Sequence, residues 1–259
     1  MRLTTLGDLL LDVIVQLEAP LVPGDDQLAV TRVGAGGQAA NVAAWARFLG
    51  AEARLVARRG DDAAGELAAR ELAAAGVELS GPALGRTGVV VSLASSGDRT
   101  MASDRGASPQ LHPDDLDENW FDCDVLHVSG YSLLREPIAS AAARAAGLAR
   151  GRGARVSLDL STWSLADDAF RERVRELAPD VVFAGERERA AVGELAGVVV
   201  SKRGALGIVV DGVEHPARPA EVVDPTGAGD ALAAGFLVGG PELGLEAAAR
   251  CCGRLGTMP

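Results

Sequence analysis

Residues 222–237 read VVDPTGAGDALAAGFL, and this stretch decides which kind of fold the chain must adopt. The two valines predict an apolar strand that ends at Val223, and residues 224–226 predict a polar turn. Residues 227–229 leave no bulky side chain after the turn, and an alanine-rich helix is predicted from about Asp230. A strand, a glycine-rich turn and a helix in this order are typical of α/β proteins, which bind ligands at the carboxyl ends of their strands.

The start of the predicted helix is a candidate anion site. Backbone N–H groups of a first helical turn have no partner inside the helix, and the helix dipole favours negative charge there. Gly227, Ala228 and Gly229 would direct such groups at a developing phosphoryl charge. Asp230 adjoins them, and a carboxylate at that place makes sense as a base that takes a proton from an attacking hydroxyl, which typically contributes about 10²–10⁴ in rate. The alternative role of Asp230 is a plain helix cap.

Apolar runs alternate with helical segments on the N-terminal side of this turn. The predicted strands cover residues 3–6, 53–57, 125–128, 156–158, 181–183, 198–200 and 208–210, and the predicted helices cover residues 38–49, 63–75, 137–150 and 168–177. This alternation predicts a parallel sheet covered on both faces by helices, within one domain over residues 1–259.

Two regions depart from the alternation and predict hairpins. Segments 13–17 and 27–33 flank a turn at 23–26, and segments 87–93 and 99–103 flank a turn at 95–98. They predict a small antiparallel lid, formed by roughly residues 12–33 and 87–104. Edge strands of the main sheet are the alternative, and the sequence leaves both open.

Charge and composition exclude some partners. The formal net charge is −11, whereas proteins that grip a nucleic-acid backbone concentrate Lys and Arg, so no nucleic acid is expected. No apolar stretch is long enough to span a membrane, and Asp8 and Asp12 interrupt the apolar N-terminus, which argues against a signal peptide. The three cysteines have neither metal-ligand spacing nor a disulfide pattern. These features predict a cytoplasmic protein without a membrane partner.

Residues 224–230, DPTGAGD, closely resemble the D-T-x-G-A-G-D signature of the ribokinase (PfkB) family of carbohydrate kinases. A second family signature is matched by residues 36–41, GGQAAN. Weaker matches at 87–88, 97–100, 106–108 and 204–207 follow in family order. The resemblance implies a three-layer α/β sandwich with a central mainly parallel sheet and a small β lid. It also implies an ATP-dependent phosphotransferase that acts on a hydroxyl of a sugar or, alternatively, of a nucleoside.

The acceptor site is implied residue by residue. In the family an aspartate after the first strand binds substrate hydroxyls, and Asp12 occupies that place. The resemblance adds Gly36, Gly37 and Asn41 to the same pocket, since the glycines let the backbone approach a ligand and the asparagine offers both a donor and an acceptor. The alternative for Asp12 is an ordinary strand-end carboxylate.

The resemblance also implies a nucleotide site, with Asp230 as catalytic base beside the anion hole of Gly227, Ala228 and Gly229. The ATP-binding residues implied are Lys202, Gly204, Thr226, Gly227 and Gly229. Mg²⁺ would be organised through water by Glu188, and a monovalent cation, K⁺ in some members, would lie near Asp224. A solvated Lys202 is an equal alternative. Some members pair through the lid, which implies a homodimer.

Departures from the family pattern keep a second kind of function open. Gly185 replaces the asparagine of the family's N-x-x-E motif, Pro225 replaces a threonine, and the chain stops at Pro259 near where members continue. A non-catalytic ligand-binding sensor is therefore an alternative. Residues 130–131 lack the glutamate with which ribokinase contacts its sugar, which weakens ribose as the acceptor.

An enzyme of another class is also compatible with one motif. Residues 34–39 satisfy G-x-G-x-x-A, the dinucleotide fingerprint, and Arg58 and Arg59 could contact a 2′-phosphate as in NADP-dependent oxidoreductases. More than thirty residues precede this fingerprint, although such a strand usually opens its domain. The interpretation also leaves residues 224–230 without a role.

Overall fold

The structure is a computed structural model that describes residues 1–95 and 98–259. It contains two β-sheets. The strands are β1 (Arg2–Leu6), β2 (Leu10–Leu17), β3 (Ala29–Gly36), β4 (Glu52–Val56), β5 (Glu78–Ser80), β6 (Thr87–Ser95), β7 (Asp98–Gly106), β8 (Val125–Ser129), β9 (Arg155–Asp159), β10 (Val181–Gly185), β11 (Val198–Lys202), β12 (Ile208–Val210) and β13 (Val213–His215). The α-helices are α1 (Gln38–Phe48), α2 (Ala63–Ala74), α3 (Ile138–Gly151), α4 (Asp168–Leu177), α5 (Glu186–Val192), α6 (Ala228–Gly239) and α7 (Pro241–Cys252). Short 3-10 helices cover Ser108–Gln110, Pro113–Asp115, Glu118–Phe121, Gly130–Leu133 and Gly204–Leu206.

The main sheet has the strand order β13-β12-β11-β10-β9-β8-β1-β4-β5. Neighbouring strands are parallel from β11 to β5, whereas β12 and β13 are antiparallel. One face packs against α1, α6 and α7, and the other packs against α3 and α4. The predicted three-layer sandwich with a mainly parallel sheet is therefore confirmed. Parallel strands place their carboxyl ends at one edge, where ligands bind in such folds.

The lid is a separate sheet with the order β3-β2-β6-β7. Strand β2 pairs antiparallel with β3 and parallel with β6, so the two predicted hairpins join side by side. The sheet is therefore mixed, and the prediction of a purely antiparallel lid is wrong. The predicted turn at 95–98 and the motif match at 97–100 include residues 96 and 97, which lie outside the described residues. Val30 and Val33 on the edge strand β3 are about half exposed, and a homodimer through the lid stays a prediction.

The predicted strand ending at Val223 is wrong. Residues 222 and 223 form no strand, and their side chains are 64% and 43% exposed. The N–H groups of Val223 and Asp224 donate instead to the carbonyl of Cys252 at the end of α7. A run of two valines between Glu221 and Asp224 is too short to reach a neighbouring strand, and the helix end offers an unpaired acceptor.

Glycines allow α6 and α7 to pack closely. A Cβ on Gly235 would lie 2.6 Å from the carbonyl oxygen of Leu243, and one on Gly244 would lie 2.9 Å from that of Leu232. Helix α6 starts at Ala228, two residues before the predicted start. Among the described helices, none combines the length and the apolarity needed to cross a membrane.

Candidate active site

Two connected cavities lie at the carboxyl edge of the main sheet. The smaller one, of about 220 Å³, lies under the lid and is lined by Asp8, Leu10, Asp12, Gly37, Gln38, Asn41, Val90, Met101, Ser103, Arg105, Tyr131, Asp159, Ser161, Glu188, Lys202, Thr226, Gly227, Gly229, Asp230 and Thr257. The larger one, here called the outer groove, has about 1510 Å³ and runs over the ends of β10 and β11. Glu188 and Lys202 line both, so the two spaces meet at these side chains.

Asp230 reaches the smaller cavity from the first turn of α6. It is the third residue of this helix, whose N-cap is Gly227, so a plain helix cap is the wrong interpretation. Asn41 Nδ2, from α1, donates to Asp230 Oδ2 at 2.7 Å. The amide fixes the carboxylate at the cavity wall, which is the placement that a general base needs.

The glycine-rich turn keeps the wall beside Asp230 open. Gly227 has a φ of 81°, and a Cβ there would lie 3.0 Å from the Cα and the carbonyl oxygen of Thr257, so both the backbone conformation and this close contact disfavour a side chain. A Cβ on Gly229 would meet nothing within 4 Å. The Ala228 N–H donates to the Pro225 carbonyl at 3.2 Å. Gly227 and Gly229 are therefore the predicted anion-hole residues that line the cavity, whereas the Ala228 amide is used within the turn.

Asp12 projects into the same cavity from the third position of β2 and is only 7% exposed. Burial raises its pKa to about 7, and a hydrogen bond from Thr257 Oγ1 at 3.5 Å opposes this shift. A Cβ on Gly36, which pairs with Leu10 across β2 and β3, would lie 2.0 Å from the Asp12 carboxylate. Gly36 thus makes room for this carboxylate without lining the cavity itself, and Gly37, the N-cap of α1, does line it.

A buried ion pair that the sequence interpretation missed ties the lid to the main sheet. Arg105 on β7 donates from Nε and Nη2 to the two carboxylate oxygens of Asp8 at 2.9 and 2.6 Å. Its Nη1 donates to the Tyr131 carbonyl at 2.8 Å. The partners are 97 residues apart, so no local spacing could reveal them. The available signal was a second aspartate in the segment from Gly7 to Asp12.

Gln38 is a second residue that the sequence interpretation missed. Its Oε1 accepts hydrogen bonds from Ser129 Oγ at 2.6 Å and from Ser161 Oγ at 2.5 Å. Because both hydroxyls hold the carbonyl end of the amide, the amino end is the donor that can face a ligand. The position inside the GGQAAN motif was the available signal.

Lys202 is held by two carboxylates. Its Nζ lies 2.9 Å from both oxygens of Asp159 and 3.4 Å from Glu188 Oε2, and its side chain is 20% exposed. Burial alone would lower the Lys202 pKa, but the charges of Asp159 and Glu188 outweigh it and raise the pKa. The solvated alternative for Lys202 is therefore wrong. Asp159, at the end of β9, was not predicted.

Few protein ligands are available for Mg²⁺. The described residues contain no group of three or more His, Cys, Asp or Glu side chains that could hold a metal. Glu188 Oε2 accepts from the N–H of Gly185 at 2.6 Å as well as facing Lys202. Mg²⁺ in nucleotide sites is commonly bound by one or two carboxylates together with phosphate oxygens and water. Glu188 and Asp159 fit that requirement, and the role of Glu188 stays a prediction.

The remaining predicted nucleotide and cation residues differ in position. Gly204 lines neither cavity, although its neighbours Arg203 and Leu206 line the outer groove. Thr226 lines the smaller cavity, and its N–H and Oγ1 donate to Asp224 Oδ1 at 2.9 and 2.5 Å. Asp224 is buried and makes no ion pair with the described residues. A monovalent cation beside it stays a prediction.

The dinucleotide-binding alternative conflicts with the sheet topology. Residues 34–36 end β3, which is the edge strand of the lid and pairs antiparallel with β2. A dinucleotide fingerprint follows a central strand of a parallel sheet. The motif at 34–39 therefore lies in the wrong sheet for an NADP-dependent oxidoreductase.

Comparisons with known proteins agree with this fold. The model of the pfkB family carbohydrate kinases matches residues 2–257. The chain is 33% identical over 275 residues to a protein named ATP-dependent ribose-1-phosphate kinase from Halopiger xanaduensis, with 96% of this chain and 90% of that protein covered. It superimposes on the adenosine kinase of Sinorhizobium meliloti with a TM-score of 0.88 and 26% identity, over 100% and 95% of the two chains. A putative ribokinase II from E. coli in complex with ATP and Mg²⁺ has a TM-score of 0.80 and 25% identity, over 99% and 94%.

Proposed function

Because this chain belongs to the pfkB family of carbohydrate kinases, we propose that it transfers the γ-phosphate of ATP to a hydroxyl of an uncharged sugar or nucleoside, with Asp230 as the general base. One observation carries the proposal. The Asp230 carboxylate, held by Asn41, lines a sugar-sized cavity beside Gly227 and Gly229 at the start of α6. A proton acceptor and an anion-binding turn thus lie side by side, as phosphoryl transfer to an alcohol requires.

Asp230 takes the acceptor's hydroxyl proton as that oxygen forms a bond to the γ-phosphorus. The bond from the same phosphorus to the bridging oxygen breaks, and ADP carries away that electron pair. The Asn41 amide keeps the base aimed during this exchange. The amides of the glycine-rich turn lie where negative charge develops on the transferring group, and fixed donors of this kind are usually a large contribution to catalysis.

The acceptor lies between the lid and α1. Asp12 accepts hydrogen bonds from its hydroxyls, and the amino end of Gln38 donates to its oxygens. The Arg105–Asp8 pair holds β7 over the cavity, which excludes water from the phosphoryl group and limits wasteful ATP hydrolysis.

An uncharged acceptor follows from the charges and size of the cavity. Carboxylates of Asp8, Asp12, Asp159, Glu188 and Asp230 line it, against the cations Arg105 and Lys202. Both cations are already held by carboxylates. An acceptor that already carries a phosphate would add negative charge with no uncommitted cation to receive it. A volume of about 220 Å³ is below the 300 Å³ or so of drug-sized pockets, and it suits one sugar ring or a small nucleoside.

The nucleotide lies in the outer groove with its phosphates toward Lys202 and the turn at 227–229. Glu188 and Asp159 are the carboxylates that would hold Mg²⁺ there through water, and the ion would neutralise phosphate charge. Lys202 joins the two cavities and brings a positive charge to the point where the phosphoryl group crosses between them.

The test is an ADP-release assay with D-ribose, D-fructose, adenosine, cytidine and ribose 1-phosphate as acceptors. We expect an uncharged compound to be phosphorylated with a higher kcat/KM than ribose 1-phosphate. Asp230→Asn should lower kcat by about 10² or more and keep MgATP binding, since only the proton acceptor is lost. Near-normal turnover in this variant would remove Asp230 from the chemistry, and preference for ribose 1-phosphate would refute the acceptor class.

A further inference from the structure

An arginine rests on an exposed tryptophan in the outer groove. Trp163, in the loop after β9, is 50% exposed, which is unusual for so large an apolar side chain. The guanidinium carbon of Arg187 lies 5.5 Å from the centre of its ring. Both residues line the outer groove, and Arg187 follows β10 by two positions. The ring therefore holds a cation at the mouth of a cavity.

The other cations of this groove are already engaged. Arg203 forms an ion pair with Glu214 at 2.6 Å, Arg189 donates to Ser201 at 2.9 Å, and Lys202 is held by Asp159. Arg187 makes no hydrogen bond or ion pair with any residue in the described ranges 1–95 and 98–259. Its donors are thus uncommitted to protein acceptors, although two glutamates flank it in the sequence.

We infer that Arg187 binds the polyphosphate of the nucleotide and that Trp163 positions it for this contact. A guanidinium stacked on an aromatic ring keeps the N–H groups at its edge exposed in one plane, and that edge matches two phosphate oxygens. Arg187 is adjacent to Glu188, whose carboxylate faces Lys202 at the junction of the two cavities. The assignment rests on the proposed function, because it requires the outer groove to be the nucleotide site.

Nucleotides with three, two or one phosphate groups distinguish a contact of Arg187 with the polyphosphate from a contact with the adenine ring. We would titrate the wild-type protein, Arg187→Gln and Arg203→Gln with MgATP, MgADP and AMP by isothermal titration calorimetry. The matched control removes the same charge from the same groove at a residue that already has a carboxylate partner. We expect Arg187→Gln to weaken MgATP and MgADP about tenfold and AMP less than twofold, and Arg203→Gln to change each less than twofold.

Tryptophan fluorescence reports on the ring itself. Trp45 is fully buried and Trp120 is partly buried, so Trp163 is the tryptophan that a ligand in the groove would affect. MgATP should change the emission of the wild-type protein and leave that of Trp163→Phe unchanged. Trp163→Leu, which lacks the ring face, should weaken MgATP about threefold.

Four results would overturn the assignment. Arg187→Gln could bind MgATP as tightly as the wild-type protein, or it could lose AMP and MgATP to the same degree. Equal weakening by Arg203→Gln would mean that only the summed charge of the groove matters. A wild-type protein that fails to bind MgATP at all would refute the proposed function first, and the role of Arg187 with it.

Discussion

Replacing Asp12 with asparagine should stabilise the fold at neutral pH while it damages the proposed acceptor site. Burial raises the Asp12 pKa from an ordinary 3.8 to about 7. Each tenfold change in an acid constant corresponds to about 1.4 kcal/mol, so the ionised carboxylate costs the folded state up to about 4 kcal/mol above pH 7. The asparagine side chain would carry no charge and would fill nearly the same volume.

The sign of the pH dependence follows from proton linkage. Between pH 4 and pH 7 the folded state holds a proton on Asp12 that the unfolded chain has released, so the free energy of unfolding falls as the pH rises. Asp12→Asn removes this dependence. Its advantage over the wild-type protein should be small near pH 4, grow by about 2 kcal/mol or more between pH 5 and pH 7, and level off above pH 7.

Urea unfolding followed by far-UV circular dichroism at pH 5, 6, 7 and 8 measures this difference. Asp8→Asn is the matched control, because Asp8 is an equally buried carboxylate that has the Arg105 partner which Asp12 lacks. That substitution should destabilise the protein by about 3 kcal/mol or more, since it leaves a buried guanidinium unpaired. If the stability gained by Asp12→Asn does not change with pH, burial does not raise the pKa of this carboxylate. If both substitutions stabilise the protein, or both destabilise it, the Arg105 partner does not distinguish Asp8 from Asp12.

Two further variants test the elements that surround Asp230. Asn41→Leu removes the 2.7 Å hydrogen bond that orients the Asp230 carboxylate, the proposed base. We therefore expect kcat to fall about tenfold while calorimetry shows unchanged MgATP affinity, and an unaltered kcat would refute the positioning role. Gly227→Ala should lower the free energy of unfolding by about 1–2 kcal/mol, because its φ is 81° and Thr257 blocks the Cβ. Gly229→Ala has open space around its Cβ, so it should leave stability unchanged or slightly higher but lower kcat. Equal losses of stability in the two glycine variants would show that positions 227 and 229 are equally constrained, which would refute this reasoning.

The sequence predicted the elements whose pattern is local. Alternating apolar runs predicted the central strands. The GAGD turn predicted that Asp230 lies at the start of a helix, because a glycine-rich helix start is visible in consecutive residues. The failed strand at Val223 shows the limit of such patterns: two valines satisfy a strand pattern, but the carbonyl of Cys252 at the end of α7 accepts the N–H groups of Val223 and Asp224. The apolarity of a short segment does not reveal which distant carbonyl accepts its N–H groups.

The smaller cavity was predicted less completely, because the residues that line it come from remote segments. Lys202 was expected at the nucleotide, and its carboxylate partner Asp159 lies 43 residues away on another strand. Arg105 meets Asp8 only because β7 of the lid folds back over the end of β1. Charged pairs of this kind depend on topology, so residue spacing carries no signal for them.

The Arg105–Asp8 pair constrains how the protein can diverge. Arg105 lies on the lid sheet and Asp8 follows β1 of the main sheet. Loss of either charge would therefore leave the other one unpaired in a largely buried site. Neutral drift at position 8 is therefore expected to be accompanied by drift at position 105. Redesign of the acceptor preference through β7 has to keep this pair or replace both members together.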